Sequence, residues 1–189
     1  MPEEALDLEM AGTARTLVED CLSVAPDEEV QVLTDPRKVG VARAIARAVR
    51  AAGATPVLST MPLLDDHGNE PPDTVAAAMR AADVSFTCTT HAITHTRARL
   101  DAAAAGTRVG VLRGVTEEML IDGAMTVDFE TLRERTEAVA ALLTEAERVT
   151  VESDAGTDVA FSVAGTTAHS LDGYFHESYG FATLPPGEA

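Results

Sequence analysis

A grammar that repeats four times between residues 29 and 112 restricts what this chain can fold into more than any other feature. Each repeat opens with a short run rich in β-branched and apolar residues: EVQVLT at 29–34, ATPVLSTM at 54–61, DVSFTCTT at 83–90 and TRVGVL at 107–112. Such runs suit the pleated, half-buried surface of a strand. Between them lie stretches of helical length at 37–52, 72–82 and 94–105; the first follows Asp35-Pro36 and ends at Gly53, and the third stops at Gly106. Proline is tolerated in the first turn of a helix, and glycine favours the position just past its end. Strand and helix alternating through short turns predict parallel βαβ units with right-handed crossovers. The expected fold is therefore α/β: an open, mainly parallel sheet with helices on both faces and Rossmann-like topology.

Ahead of the first strand, 8–24 places Leu8, Ala11, Ala14, Leu17, Val18, Cys21 and Leu22 at three- and four-residue spacings, which predicts a helix with one apolar face. After Gly114 the grammar changes. Two helical stretches, 116–124 and 129–147, follow one another with no strand between them, and then 148–152 and 158–163 read as an antiparallel hairpin around Asp154-Ala155-Gly156. The expected organisation is an α/β domain over 1–147 and the incomplete start of a β-rich second domain over 148–189. The stretch 164–189, rich in Gly, Thr and Pro, has no periodicity and is expected to need more protein to pack against.

Charge excludes one class of function. With 31 Asp and Glu against 14 Lys and Arg, the formal net charge is −17, and Lys38 is the single lysine. Such a surface repels nucleic acid, and its self-repulsion is relieved by screening salt, so a halophilic, acidic protein of a salt-rich cytoplasm is expected. The absence of Trp and an aromatic content of 4% leave a core built of Ala, Val, Leu and Ile, and no stacking platform for bases or sugars. Cys21 and Cys88, far apart in apolar settings, read as buried free thiols. Residues 1–7 are acidic with no basic region before an apolar stretch, and no run approaches the ~18 apolar residues of a membrane helix. A cytoplasmic location away from any membrane is the expectation.

Ligands of open parallel sheets bind beyond the carboxyl ends of the strands. Here those ends are Asp35, 61–68, 89–95 and Arg113-Gly114. No GxGxxG loop follows the first strand, so dinucleotide binding is not expected. His91 and His95 would share a face if their segment were helical, but no acidic residue stands beside them to complete HExxH chemistry. Capping and interface hydrogen bonding is their simpler role. Asp65, Asp66, His67 and Glu70 lack EF-hand spacing and read as a solvated acidic turn. His169, Asp172, Tyr174, His176, Glu177 and Tyr179 have the chemistry to hold a metal or move protons, without a spacing that selects a set. Leu184-Pro185-Pro186-Gly187-Glu188 presents one carboxylate after a stiff proline pair, and one carboxylate does not close a catalytic metal site.

Several of these pieces occur in an order that resembles a known family: Ala14-Arg15-x-Leu17-Val18-x-x-Cys21-Leu22, Thr34-Asp35-Pro36, Ala78-Met79-x-x-Ala82-Asp83-Val84, Thr89-Thr90-His91 through Arg99, Gly114-x-Thr116-Glu117-Glu118-Met119, Gly156-Thr157-Asp158 and Leu184 to Glu188. Together they resemble the N-terminal half of the leucyl aminopeptidases grouped with aminopeptidase T. That resemblance implies a two-domain, usually dimeric, cytoplasmic metalloprotease, a hydrolase that removes N-terminal residues from peptides with two divalent metal ions, Zn, Co or Mn. It implies Glu188 as the first metal ligand, with the other ligands and the catalytic tyrosine further on, so the chain alone is expected to hold no metal and to be inactive. Gly187 stands where the better characterised members carry an acidic residue. Two alternatives remain open. One is a 2,5-dihydroxypyridine 5,6-dioxygenase-like enzyme, similar in architecture but using one iron. The other is a non-catalytic domain for dimerisation or peptide binding.

Overall fold

The computed structural model describes residues 3–189, with side chains from residue 8 onward; Met1 and Pro2 lie outside the described residues. The chain divides into two compact units, one of residues 1–127 with 173–185 and the other of 128–172 with 186–189.

The first unit is the expected α/β sheet. Its elements run α1 (Glu3–Thr16), a π-helical turn at Leu17–Cys21, β1 (Glu29–Thr34), α2 (Val39–Ala51), β2 (Thr55–Thr60), α3 (Asp73–Ala81), β3 (Val84–Thr89), α4 (Arg97–Ala104), β4 (Arg108–Arg113) and α5 (Glu117–Asp122), closing with β7 (Phe181–Thr183). The strands lie in the order β2-β1-β3-β4-β7, and every neighbouring pair is parallel. Helices α1, α2 and α5 pack together, and α3 pairs with α4. Leu33, Met61, Met79, Ile93, Ala102, Val109 and Val111 form one apolar cluster among buried residues of the sheet and the α3–α4 layer. Phe86, fully buried, lies against Leu22 in the space that a side chain at Gly110 would fill: a Cβ there would come within 3.1 Å of Phe86 and 3.2 Å of Leu22. The expectation that small aliphatic residues fill the core holds, with Phe86 as its largest member.

Strand β7 was not legible. The stretch 164–189, expected to need more protein to pack against, supplies a three-residue fifth parallel strand, with Ala182 buried in it and Leu184 buried just after it. Hydrogen bonding compensates for its shortness: the Leu184 N–H donates to Val111 O at 2.9 Å. Arg99 adds a second tie, its Nε donating to Thr94 O at 2.7 Å, its Nη1 reaching Tyr179 O at 3.4 Å and its guanidinium lying 4.9 Å from the centre of the Phe181 ring.

The second unit holds α6 (Phe129–Glu145), β5 (Arg148–Glu152) and β6 (Asp158–Ser162). Asp128 caps α6, Oδ1 accepting from the Thr131 N–H at 3.1 Å and Oδ2 from its hydroxyl at 3.0 Å. Strands β5 and β6 form the expected antiparallel hairpin, in which Val149 stands opposite Phe161 and Val151 opposite Val159. All of β6 is exposed. No helix among the described residues is long and apolar enough to cross a membrane.

Candidate functional site

Chain direction around the sheet changes between β1 and β3: β1 leads outward to β2 on one side, and β3 leads to β4 on the other. The loops that leave the carboxyl ends of two such strands part there, and an open α/β sheet binds its ligand in the crevice between them. Three segments meet at this point, following β1, β2 and β3.

Asp35, the first residue after β1, is 1% exposed and acts as the hub. Its Oδ2 accepts from the Thr90 N–H at 2.6 Å, while Oδ1 accepts from the Thr90 hydroxyl at 3.1 Å and the Arg37 N–H at 2.9 Å. A buried carboxylate without partners is costly, and these charge-assisted bonds offset that cost by binding the end of β1 to the end of β3. This also moves the helix start. The sequence reads Asp35-Pro36 as the cap of a helix from residue 37, whereas α2 begins at Val39 because the Asp35 side chain is engaged with Thr90 and with Arg37. One strand turn back, burial first and then the nearby Asp35 charge push the Cys88 thiol well above its ordinary value. Both Cys21 and Cys88 are buried free thiols, as expected.

The β3 segment continues through Thr90, His91 and Ala92 into a turn. The two histidines do not share a helix: α4 starts only at Arg97, His91 is half-buried and His95 exposed. Thr89 fixes the bend, its hydroxyl donating to His91 O at 2.8 Å. The Nδ1 atom of His91 is buried and has no hydrogen-bond partner. Such a nitrogen is uncommon in a folded chain and costly where nothing satisfies it.

From the far side, the β2 segment brings His67, whose ring stands nearly perpendicular to that of His91 with centres 4.9 Å apart. Its Nδ1 accepts from the Ala92 N–H at 2.9 Å, and the Gly68 N–H donates back to Ala92 O at 2.8 Å. Glu70 completes the junction by capping α4, accepting from the Arg97 N–H at 2.6 Å and the Ala98 N–H at 3.2 Å. The acidic turn is thus engaged in binding two loops together. No spacing in the sequence announces a contact between His67 and His91; only the strand order brings them together.

Depressions among the described residues include a cleft and a groove. A cleft of about 380 Å³ lies between the β1 and β4 ends, lined by Arg37, Lys38, Thr116, Glu117 and Glu118 among others; the Lys38 ammonium donates to Gly114 O at 3.3 Å. A larger groove of about 720 Å³ runs between α1 and α2 over Leu8, Ala11, Gly12 and Ala48, with Arg15 and Arg47 in its lining, away from the strand ends.

The other sequence candidates are dispersed. His176 and Tyr179 pack with ring centres 5.1 Å apart in the first unit, beside half-buried Tyr174 and exposed Glu177. In the second unit Asp172 is fully buried, its Oδ2 3.7 Å from Arg133 Nε and within 3.4 Å of the Ser170 hydroxyl, and His169 is exposed. Glu188 is exposed, and its backbone is joined to Leu171, whose N–H donates to Glu188 O at 2.8 Å. No group of three or more His, Cys, Asp or Glu side chains able to hold a metal occurs among the described residues.

Sheet order defines the class: an open-sheet α/β domain whose candidate site lies on the loops that follow β1, β2 and β3. Within that class the chain belongs to the NicX family, 2,5-dihydroxypyridine 5,6-dioxygenase, which matches residues 9–189. Among solved structures it is similar to the 2,5-dihydroxypyridine dioxygenase of Pseudomonas putida KT2440, with a TM-score of 0.69 and 17% identity over 99% of this chain and 55% of that one. It is similar also to wild-type AmpT of Thermus thermophilus, with a TM-score of 0.50 and 13% identity over 95% of this chain and 60% of that one. The chain thus spans little more than half the length of the structures it resembles. No curated protein matches it.

These findings correct the aminopeptidase reading. The family match and the nearer structural likeness fall on the dioxygenase, so hydrolase, aminopeptidase and metalloprotease are the wrong descriptions of this family. The physical reason is that the motifs behind that reading are largely elements of the shared scaffold: Thr34-Asp35-Pro36 and Thr89-Thr90-His91 hold the β1 and β3 ends together, which any chemistry on this fold can use.

Proposed function

We propose that this chain is the α/β portion of a ring-cleaving dioxygenase acting on 2,5-dihydroxypyridine or a closely related hydroxylated nitrogen heterocycle, in the cytoplasm. The observation that carries this reading is the family match over 9–189. A 5,6-dioxygenase breaks the ring bond between C5 and C6, and both oxygen atoms of O2 enter the product. Residues of this chain bind and orient the ring and hold a proton.

His91 is the residue best suited to meet the substrate. Its unpartnered Nδ1 lies just beyond β3 at the switch point, where a neutral imidazole nitrogen can accept the proton of a ring hydroxyl. Removing that proton enriches the ring in electrons and makes it easier to oxidise. The fixed surroundings of His91, from the Thr89 hydroxyl to the edge of His67, keep the nitrogen in place before a ligand arrives. Free thiols at Cys21 and Cys88 accord with a reducing compartment.

Titration with 2,5-dihydroxypyridine, followed by amide and imidazole NMR signals, tests this reading. Shifts centred on Thr90, His91 and Ala92 are expected, and His91→Ala is expected to weaken binding about tenfold, the cost of one good hydrogen bond. Absence of shifts in this segment at millimolar ligand overturns the assignment.

A further inference from the structure

The β2 and β3 loops are joined by a pair of reciprocal hydrogen bonds, and one of the two depends on a lone pair that protonation removes. The Ala92 N–H donates to His67 Nδ1 at 2.9 Å, and the Gly68 N–H donates to Ala92 O at 2.8 Å. His67 is exposed. Its own N–H is bonded to Asp66 Oδ1 at 2.7 Å, which fixes the backbone from which the imidazole reaches across.

We propose that His67 is a pH-sensitive positioning residue: as a neutral imidazole it latches the β2 loop onto the His91-bearing segment, and when Nδ1 takes up a proton the latch opens. A protonated Nδ1 is a donor facing the Ala92 N–H, so an attractive contact becomes donor against donor. The Gly68 bond then holds the junction alone, while Glu70 still anchors the far end of the loop to α4. Opening is therefore local: residues 65–69 swing from Glu70, and the His67 ring leaves the His91 ring.

The charged and titratable groups of the segments that meet here are Asp65, Asp66 and Glu70 on the β2 loop; His91, His95 and Arg97 on the β3 loop and the start of α4; and Asp35, which contacts Thr90 from the β1 end. Asp66 is committed to the His67 backbone, Glu70 to α4 and Asp35 to Thr90 and Arg37. None of these carboxylates makes a hydrogen bond with the His67 ring, whose bonded partner is the Ala92 N–H. The latch lies in the chain itself and works whatever molecule the crevice takes.

Amide hydrogen exchange at Ala92 and Gly68, corrected for the intrinsic pH dependence of exchange, is the test, measured between pH 8 and pH 5 alongside the His67 ring signals. In the wild-type chain, protection at Ala92 is expected to fall about tenfold as His67 takes up its proton, with a smaller fall at Gly68, while the Phe86 amide stays protected. His67→Gln supplies a side-chain carbonyl that accepts the same N–H and does not titrate. In that variant Ala92 is expected to stay protected across the whole range. Unchanged protection at Ala92 while the wild-type His67 ring titrates overturns the proposal. So does an equal loss of protection in His67→Gln.

Discussion

Strands β3 and β6 are short runs of similar character, VSFTCT and DVAFS, each with one phenylalanine, yet all of β3 is buried and all of β6 is exposed. The difference lies in neighbours. Strand β3 has parallel partners on both sides, in a sheet covered by helices, so both alternating sets of side chains go inside. Strand β6 has the single partner β5, and Val151, Val159 and Phe161 remain between 44% and 47% exposed. Strand propensity therefore describes the local backbone in both cases, while burial is decided by topology.

The largest expected effect that separates the two strands is on stability. Phe86→Ala is expected to cost about 3–5 kcal/mol, against well under about 1 kcal/mol for Phe161→Ala, because only the first leaves a cavity. Urea unfolding of the two variants checks this, and equal losses would break the comparison. Next in size, Gly110→Ala is expected to cost about 1–3 kcal/mol, since its new methyl meets Phe86 and Leu22 at 3.1–3.2 Å. Gly156→Ala in the hairpin turn, where φ is +101° but the space around the position is open, tests strain without crowding and is expected to cost about 1 kcal/mol.

Rising pH separates the two regions further. With the folded Cys88 thiol pushed up by burial and by Asp35, the unfolded chain loses its thiol proton first as pH rises past about 8.5. The folded chain then binds more protons than the unfolded one, so Cys88 lowers stability with rising pH above that point. Thiol labelling of Cys88 at pH 8 is expected to track global unfolding. The smallest effect is at α6, where the Thr131 N–H and hydroxyl hold the Asp128 carboxyl below the usual range. Its capping contribution is present above the ordinary carboxylate range and is lost as pH falls through the lowered value, which fraying of the Thr131 amide in hydrogen exchange would register.

Those contrasts mark what the sequence makes legible. Strands β1 to β4 and the helices between them could be read because β-branched runs and glycine stops act within a few residues. The hairpin could be read from its two apolar runs around a glycine turn. Strand β7 could not, because three residues carry no period and its place beside β4 depends on contacts made far back in the chain, Arg99 among them. The crevice was legible in outline, since the strand ends were marked in advance, but not in its working parts. Asp35 reads as a helix cap, and its bonds to Thr90 span 55 positions; His67 reaches Ala92 across 25. Local pattern does not encode separations of that kind. The functional reading fails for a related reason: the motifs behind it mark strand ends and loops of the scaffold, whereas the family is shown by the match over residues 9–189.

Lys38 has a practical consequence. It is the single lysine of the sequence, and its ammonium sits at the lip of the cleft between the β1 and β4 ends, resting on Gly114 O. Amine-directed chemistry aimed at a side chain therefore has one address, a few residues from Asp35. A fluorophore or spin label coupled there would report on the crevice from a fixed post without any engineered cysteine, and occupancy of the cleft would show as slowed acylation of that one amine.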